Sequence, residues 1–174
     1  MQKFFIILKK EFFPISLIFI LALSRIIPHP WNFTPVLAVG VFSGFYFKQI
    51  YLSFFVVILA MFVGDLFLGF HETMFFTYIS LIVAVLIGFC VKHFKFTEIL
   101  FSGFASSFCF FLITNFGSWL TLDMYEKNFA GLLQSYLLAI PFFHNTLLST
   151  LIYLTVLKLL FDLGRKNRLF KTSF

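Results

Sequence analysis

The amino-acid sequence predicts an all-α fold, an integral membrane bundle of six transmembrane helices with both termini cytoplasmic. Two features of composition and arrangement, and one of charge, carry that expectation. Hydrophobic residues make up 61% of the 174 and charged residues 11%, proportions outside those of soluble globular and of disordered chains. The apolar residues fall in six stretches, most of them near the ~20 residues that a bilayer-spanning helix needs. Lys and Arg gather on one side of these stretches, the bias that fixes orientation on insertion.

Residues 1–11 read as a short basic cytoplasmic N-terminus with Lys3, Lys9 and Lys10. The start resembles a secretory signal, but Arg25 and Pro28-His29-Pro30 offer no small-residue cleavage site, so residues 12–27 read as an uncleaved first span. The prolines end it, since proline restrains the residue before it and cannot continue the hydrogen-bond ladder. The second span, residues 34–47, is short. The third, 50–70, contains Asp65; the fourth covers 73–91; the fifth covers 98–122, with Asn115 near its end. The last apolar tract, 129–161, at ~1.5 Å per residue exceeds the thickness of a bilayer. Pro141 divides it. Either one long helix kinks there, or residues 129–139 lie near the interface and a spanning helix starts at Pro141, a position that suits proline. The transmembrane domain is then 12–162, followed by a basic cytoplasmic tail, 163–174.

Orientation follows from counting the basic residues. Lys3, Lys9, Lys10, Lys48, Lys92, Lys95, Lys158, Arg165, Lys166, Arg168 and Lys171 fall on one side, and Arg25 and Lys127 on the other. Short loops retain Lys and Arg in the cytoplasm, so the first set is inside. Asp65, Glu72, Asp123 and Glu126 then lie at or near the outer face. The net charge of +6 is explained by the same bias, and neither basic run carries the interleaved aromatics of nucleic-acid binding. Cys90 and Cys109 have no CxxC spacing and no ligand-type neighbours, so no metal or cofactor is expected and both read as inert thiols. No internal repeat is evident, which disfavours an inverted-repeat carrier.

Four segments bring polar residues to the outer third of this bundle. The first runs from Arg25 through His29, Trp31 and Asn32 to Thr34; the others hold Asp65 with His71, Asn115 with Trp119, and His144 with Asn145. Polar groups inside spans cost several kcal/mol, roughly 2.5 to 3.5 for a charge at a helix centre, so they are functional candidates. Convergence at one depth is what a solute pocket open to the outside requires. The candidate substrate-binding residues are Arg25, His29, Asn32, Thr34, Asp65, His71, Asn115, Trp119, His144 and Asn145. Each has a structural alternative. Arg25 and Asp65 are close enough to their span ends to form an ion pair. Asn115 and Asn145 suit interhelical hydrogen bonds. His29 and His71 sit at loop edges exposed to solvent, whereas His144 lies deeper. Trp31 and Trp119 suit the interfacial aromatic belt.

Enzyme signatures are missing: no GxxxxGK[ST] phosphate loop, no HExxH, no nucleophile elbow around Ser102-Gly103. No catalytic residue is assigned, and the chain is not expected to be an enzyme.

The order of the motifs PHPWNFTP after the first span, GDLFLGFH closing the third, TNFGSW closing the fifth and IPFFHNT in the sixth resembles a bacterial family of small membrane proteins of unknown function. That family looks like the S components, the substrate-binding subunits of energy-coupling factor transporters. The resemblance implies a six-helix protein of the bacterial cytoplasmic (inner) membrane that captures a vitamin or related micronutrient from outside and topples in the lipid to deliver it. The implied partners are the solute, membrane lipid, a transmembrane coupling subunit and two ATPases. Many S components carry an alanine pair four residues apart in the first helix, and here Ala22 has no such partner. Solitary cobalamin-transporting relatives use an intramembrane cysteine; Cys90 and Cys109 fall in no motif that matches that role. Two readings from other classes stand beside this one: an ion-coupled carrier titrating Asp65 and His144, and a non-catalytic structural or assembly protein that needs no pocket.

Overall fold

The computed structural model describes residues 11–47 and 49–166. They fold into six α-helices joined by short connections: α1 Phe12–Leu23, continued by a 3-10 turn Ser24–Ile26; α2 Val36–Tyr46; α3 Ile50–Leu68; α4 Met74–Cys90; α5 Phe96–Thr121; and α6 Phe129–Lys166. Among the described residues there is no strand. The N-terminal lysines, Lys48, Arg168 and Lys171, all part of the charge count, lie outside the described residues.

Every predicted span is a helix, and the ends have local causes. Pro28 and Pro30 interrupt the chain after the 3-10 turn, and Pro35 stands at the N-cap of α2. Gly69 terminates α3 at φ 90°, where its N–H donates to Asp65 O at 2.8 Å; a residue with a Cβ is strained there. At the start of α5 the Glu98 carboxylate accepts from the backbone N–H groups of His93 and Lys95 at 3.0 and 3.1 Å. These donors precede the helix and lack intrahelical partners. Between α5 and α6, Lys127 Nζ donates to the carbonyls of Trp119 and Leu122, both at 2.6 Å, closing the C-terminus of α5. Asn128 Oδ1 accepts from Gly131 N–H at 2.8 Å and caps α6. The last tract is one continuous helix of 38 residues with Pro141 inside it, so no separate spanning helix starts at Pro141.

Helix α2 is the axis of the bundle. It touches all five other helices, and every residue from Val36 to Gly44 is buried. A helix apolar all round belongs in an interior. Its C-terminal end is fixed by polar contacts: Tyr46 donates to Glu11 Oε2 at 2.9 Å, and Ser43 and Ser53 exchange side-chain donors and backbone carbonyls at 3.1 and 3.0 Å. Near the Tyr46 end, Phe42, Phe45, Phe94 and Phe161 form an aromatic cluster, with Phe45 stacked on Phe94 at 4.6 Å. Phe94 is fully buried despite a φ of 52°. The Glu98 cap beside it holds the loop in that conformation.

Small hydroxyl side chains share the interior with the apolar core, and large apolar side chains cover the outside. Ser43, Ser53, Ser80, Ser106, Ser107, Ser135, Ser149 and Thr150 are buried, while Phe101, Phe104, Phe108 and Leu112 of α5 and Leu133, Leu137 and Leu148 of α6 are exposed. Three helices, α3, α5 and α6, are long and apolar enough to cross a membrane; α1 with its 3-10 turn, α2 and α4 are shorter apolar helices. In a membrane, helix association rests on close packing and interhelical hydrogen bonds rather than on removal of apolar surface from water.

Candidate functional site

At the end of the bundle where α1 and α3 finish and α2 and α4 begin, residues from the 3-10 turn after α1, from α2 to α6 and from the 27–35 loop enclose a half-open cavity of about 610 Å³. That volume lies within the range of about 300–1,000 Å³ of small-molecule sites. The opposite end of α2 is filled by the Phe42–Phe45–Phe94–Phe161 cluster.

Arg25 carries the charge of the site. The 3-10 turn after α1 brings it beside α3, where Nη1 donates to Asp65 Oδ1 at 2.8 Å and contacts Met61 Sδ. Its stem lies along Gly64, where a Cβ would stand 3.4 Å from Arg25 Cδ. Asp65 has no exposed side-chain surface, and its second oxygen accepts from the Tyr78 hydroxyl at 2.8 Å. Two donors, one from the 3-10 turn after α1 and one from α4, therefore converge on one carboxylate of α3. A buried charge held in this way avoids the penalty of an unpaired ion. Arg25 and Met61 line the cavity; Asp65 sits behind them.

The loop above the cavity is a turn closed by Phe33 N–H to Pro30 O at 3.0 Å, with Asn32 at φ 59°. Asparagine tolerates that conformation at the third turn position better than most side chains. α6 holds the turn from the other side: Asn145 Nδ2 donates to Trp31 O at 2.9 Å and Ser149 Oγ to Asn32 O at 3.5 Å. His29, Trp31, Asn32 and Thr34 line the cavity, and Trp31 is 80% exposed. His29 Nδ1 lies 2.6 Å from Ile27 O, and His71 Nδ1, also on the cavity wall, 2.9 Å from Thr73 Oγ1.

Of the ten residues singled out from sequence, the structure brings Arg25, His29, Asn32, Thr34, His71 and Asn115 onto one cavity wall. Asp65 and Asn145 stand one contact behind it, through Arg25 and through Trp31 O. Trp119 and His144 are elsewhere. Trp119 Nε1 donates to Glu126 O at 2.9 Å, fixing the α5–α6 connection, and its ring packs on Phe116. His144 is exposed on the same side of α6 as Pro141; three residues apart, the two share a face that points away from the bundle.

The sequence reading did not single out Tyr78 or the lining residue Thr77 of α4, and it left Thr114 of α5 and Thr146 of α6, which stand in the motifs TNFGSW and IPFFHNT, out of the binding candidates. The three threonine hydroxyls donate to carbonyls of their own helices at 3.3, 2.8 and 3.0 Å, so each retains acceptor lone pairs. Aromatic walls come from Phe110 and Phe111 of α5 and Phe142 and Phe143 of α6, with Phe111 and Phe143 rings 5.2 Å apart. Among the described residues no group of three or more His, Cys, Asp or Glu side chains could hold a metal ion.

These features define a class: an all-helical bundle with membrane-length helices around a half-open amphipathic cavity. The chain matches the model of a family of unknown function, DUF6580, over residues 7–171 and belongs to that family. No curated protein and no solved structure matches it.

Proposed function

We propose that this chain is a substrate-capture protein of the bacterial cytoplasmic membrane, similar to the S components of energy-coupling factor transporters. In this reading all six helices cross or enter the bilayer, both termini are cytoplasmic, and the cavity opens outward. It takes up a small solute, a vitamin or related micronutrient, and a separate coupling subunit with two ATPases supplies the energy. The chain itself is not an enzyme, binds no nucleic acid and needs no cofactor.

The observation that carries this reading is the cavity: a volume suited to a small molecule, open at one end of α2 and backed by packed aromatic rings at the other. A blind site of this kind binds and holds. It does not conduct. Binding alone shifts a population between conformations and drives no accumulation against a gradient, which is the reason for an external energy source. The ion-coupled alternative has less support, because its titrating candidate Asp65 is fully buried between two donors and His144 faces the exterior. An assembly role leaves the cavity unexplained.

The test is mass spectrometry of small molecules retained by the purified chain, followed by reconstitution in liposomes with and without a coupling module and ATP. A retained solute that is lost when Ala139→Trp fills the cavity, and uptake only with the module, are the expected results. Concentrative uptake by the chain alone, driven by a proton gradient and abolished by Asp65→Asn, would replace this reading with the carrier.

A further inference from the structure

Arg25 is only partly engaged. Its Nη1 serves Asp65 and Met61, whereas Nε and Nη2 have no partner among the described residues and are not among the buried polar atoms left unsatisfied, so they retain accessible surface. The residue lines the cavity. A guanidinium presents its donors as a planar fork, and two free donors on one edge match the two oxygens of a carboxylate.

The rest of the wall narrows the ligand. Among the described residues no Asp, Glu or Lys lines the cavity, and Arg25 is the one permanently charged residue that does. Asp65, directly behind it, offsets part of its charge. One such cation suits a monoanion and leaves a phosphate dianion without a second counter-charge. The hydroxyls of Thr77, Thr114 and Thr146 have spent their protons on their own helices, so they offer acceptors, which repel an anion and suit N–H or O–H groups on a ligand body. Phe111 and Phe143 supply flat apolar contact for that body.

We propose that the cavity takes a small monocarboxylate, with its carboxylate on Nε and Nη2 of Arg25 and an apolar or aromatic body against Phe111 and Phe143. This deepens the capture reading and rests on it. Asp65 and Tyr78 act as positioning residues: they fix the guanidinium so that its free edge faces the ligand.

The experiment uses the full chain in lipid nanodiscs and three probes that share one body: 3-phenylpropanoate, its primary amide, and 2-phenylethyl phosphate. Calorimetric titration is expected to give binding of the acid, the amide weaker by about ten- to a hundredfold, the range of a charge-assisted hydrogen bond, and the phosphate no tighter than the acid. Arg25→Gln alone strands the buried Asp65, so the informative variant is Arg25→Gln with Asp65→Asn, which keeps a neutral hydrogen-bonded pair. That variant is expected to fold and to lose the preference for acid over amide. Equal affinities in the wild type, a preference surviving in the double variant, tighter binding of the phosphate, or no binding of the acid would each overturn the proposal. Amide binding at least as tight as the acid's, and abolished by Ala139→Trp, would overturn it while leaving the capture reading standing.

Discussion

Gly44 of α2 and Gly88 of α4 are paired across the crossing of their helices, each resting on the backbone three residues before the other. A Cβ on Gly44 would lie 2.0 Å from Val85 O, and one on Gly88 2.1 Å from Val41 O. Backbone atoms cannot rotate away as a side chain can, so the helices must part. Gly44→Ala and Gly88→Ala are each expected to destabilise the protein by about 3 kcal/mol, the upper part of the range for overpacking. Gly64→Ala, whose Cβ meets only ordinary contact distances, should stay close to wild type. Thermal unfolding of the detergent-solubilised chain checks all three.

The Arg25–Asp65–Tyr78 network predicts an order of effects. Asp65→Ala leaves a mostly buried guanidinium unpaired and should cost about 3–5 kcal/mol. Tyr78→Phe removes one hydrogen bond to a charged group and should cost about 2 kcal/mol. Arg25→Gln with Asp65→Asn should cost less than either charge removed alone. A double-mutant cycle in a denaturant titration measures the coupling, and additive single effects would mean that the ion pair contributes nothing.

Asn145→Ala is expected to loosen the turn over the cavity rather than the bundle. A neutral interhelical amide contributes only about 1 kcal/mol, so global stability should fall little. Hydrogen exchange at residues 31–33 should rise, more so when Ser149→Ala removes the second tether.

Orientation can be read by thiol labelling in a background with Cys90→Ser and Cys109→Ser. Under the capture reading, a cysteine at Trp31 reacts with an impermeant reagent in intact cells. One at Lys92, exposed in the loop before α5, reacts only after permeabilisation. The reverse pattern would invert the topology.

The helices were legible from sequence because their punctuation was local. Pro28 and Pro35 bracket the first loop, Gly69 closes α3, and the polar run from Asp123 to Asn128 separates α5 from α6. Rotation of each helix about its axis was not legible in the same way. A membrane helix can be apolar toward lipid and apolar toward its neighbours, so periodicity does not separate inward from outward faces, and His144 and Pro141 share a face that turns out. A signal for the interior was present in the small residues. Gly40 and Gly44 in α2, and Ala84 and Gly88 in α4, are small-xxx-small pairs of the kind that lets helices approach closely, and they mark a crossing where backbone rests on backbone. Tyr78 had no such marker; only the antiparallel pairing of α3 and α4 brings it to Asp65. The cavity loop was legible in part, since PHPWNFTP gathers turn residues and polar groups in one stretch.

Under the capture reading, which sets α2 across the bilayer, its brevity has an electrical consequence. Its 11 residues rise only about 17 Å, whereas the hydrocarbon slab is about 30 Å thick. If the cavity fills with water in a bilayer, the insulating layer at the centre of the protein is thin there, bounded by Arg25 on one side and the Phe94 cluster on the other. The transmembrane voltage then drops over little more than half its usual distance. An elementary charge carried from one side of that layer to the other meets about 2.3 kcal/mol for every 100 mV, concentrated in three turns of one helix.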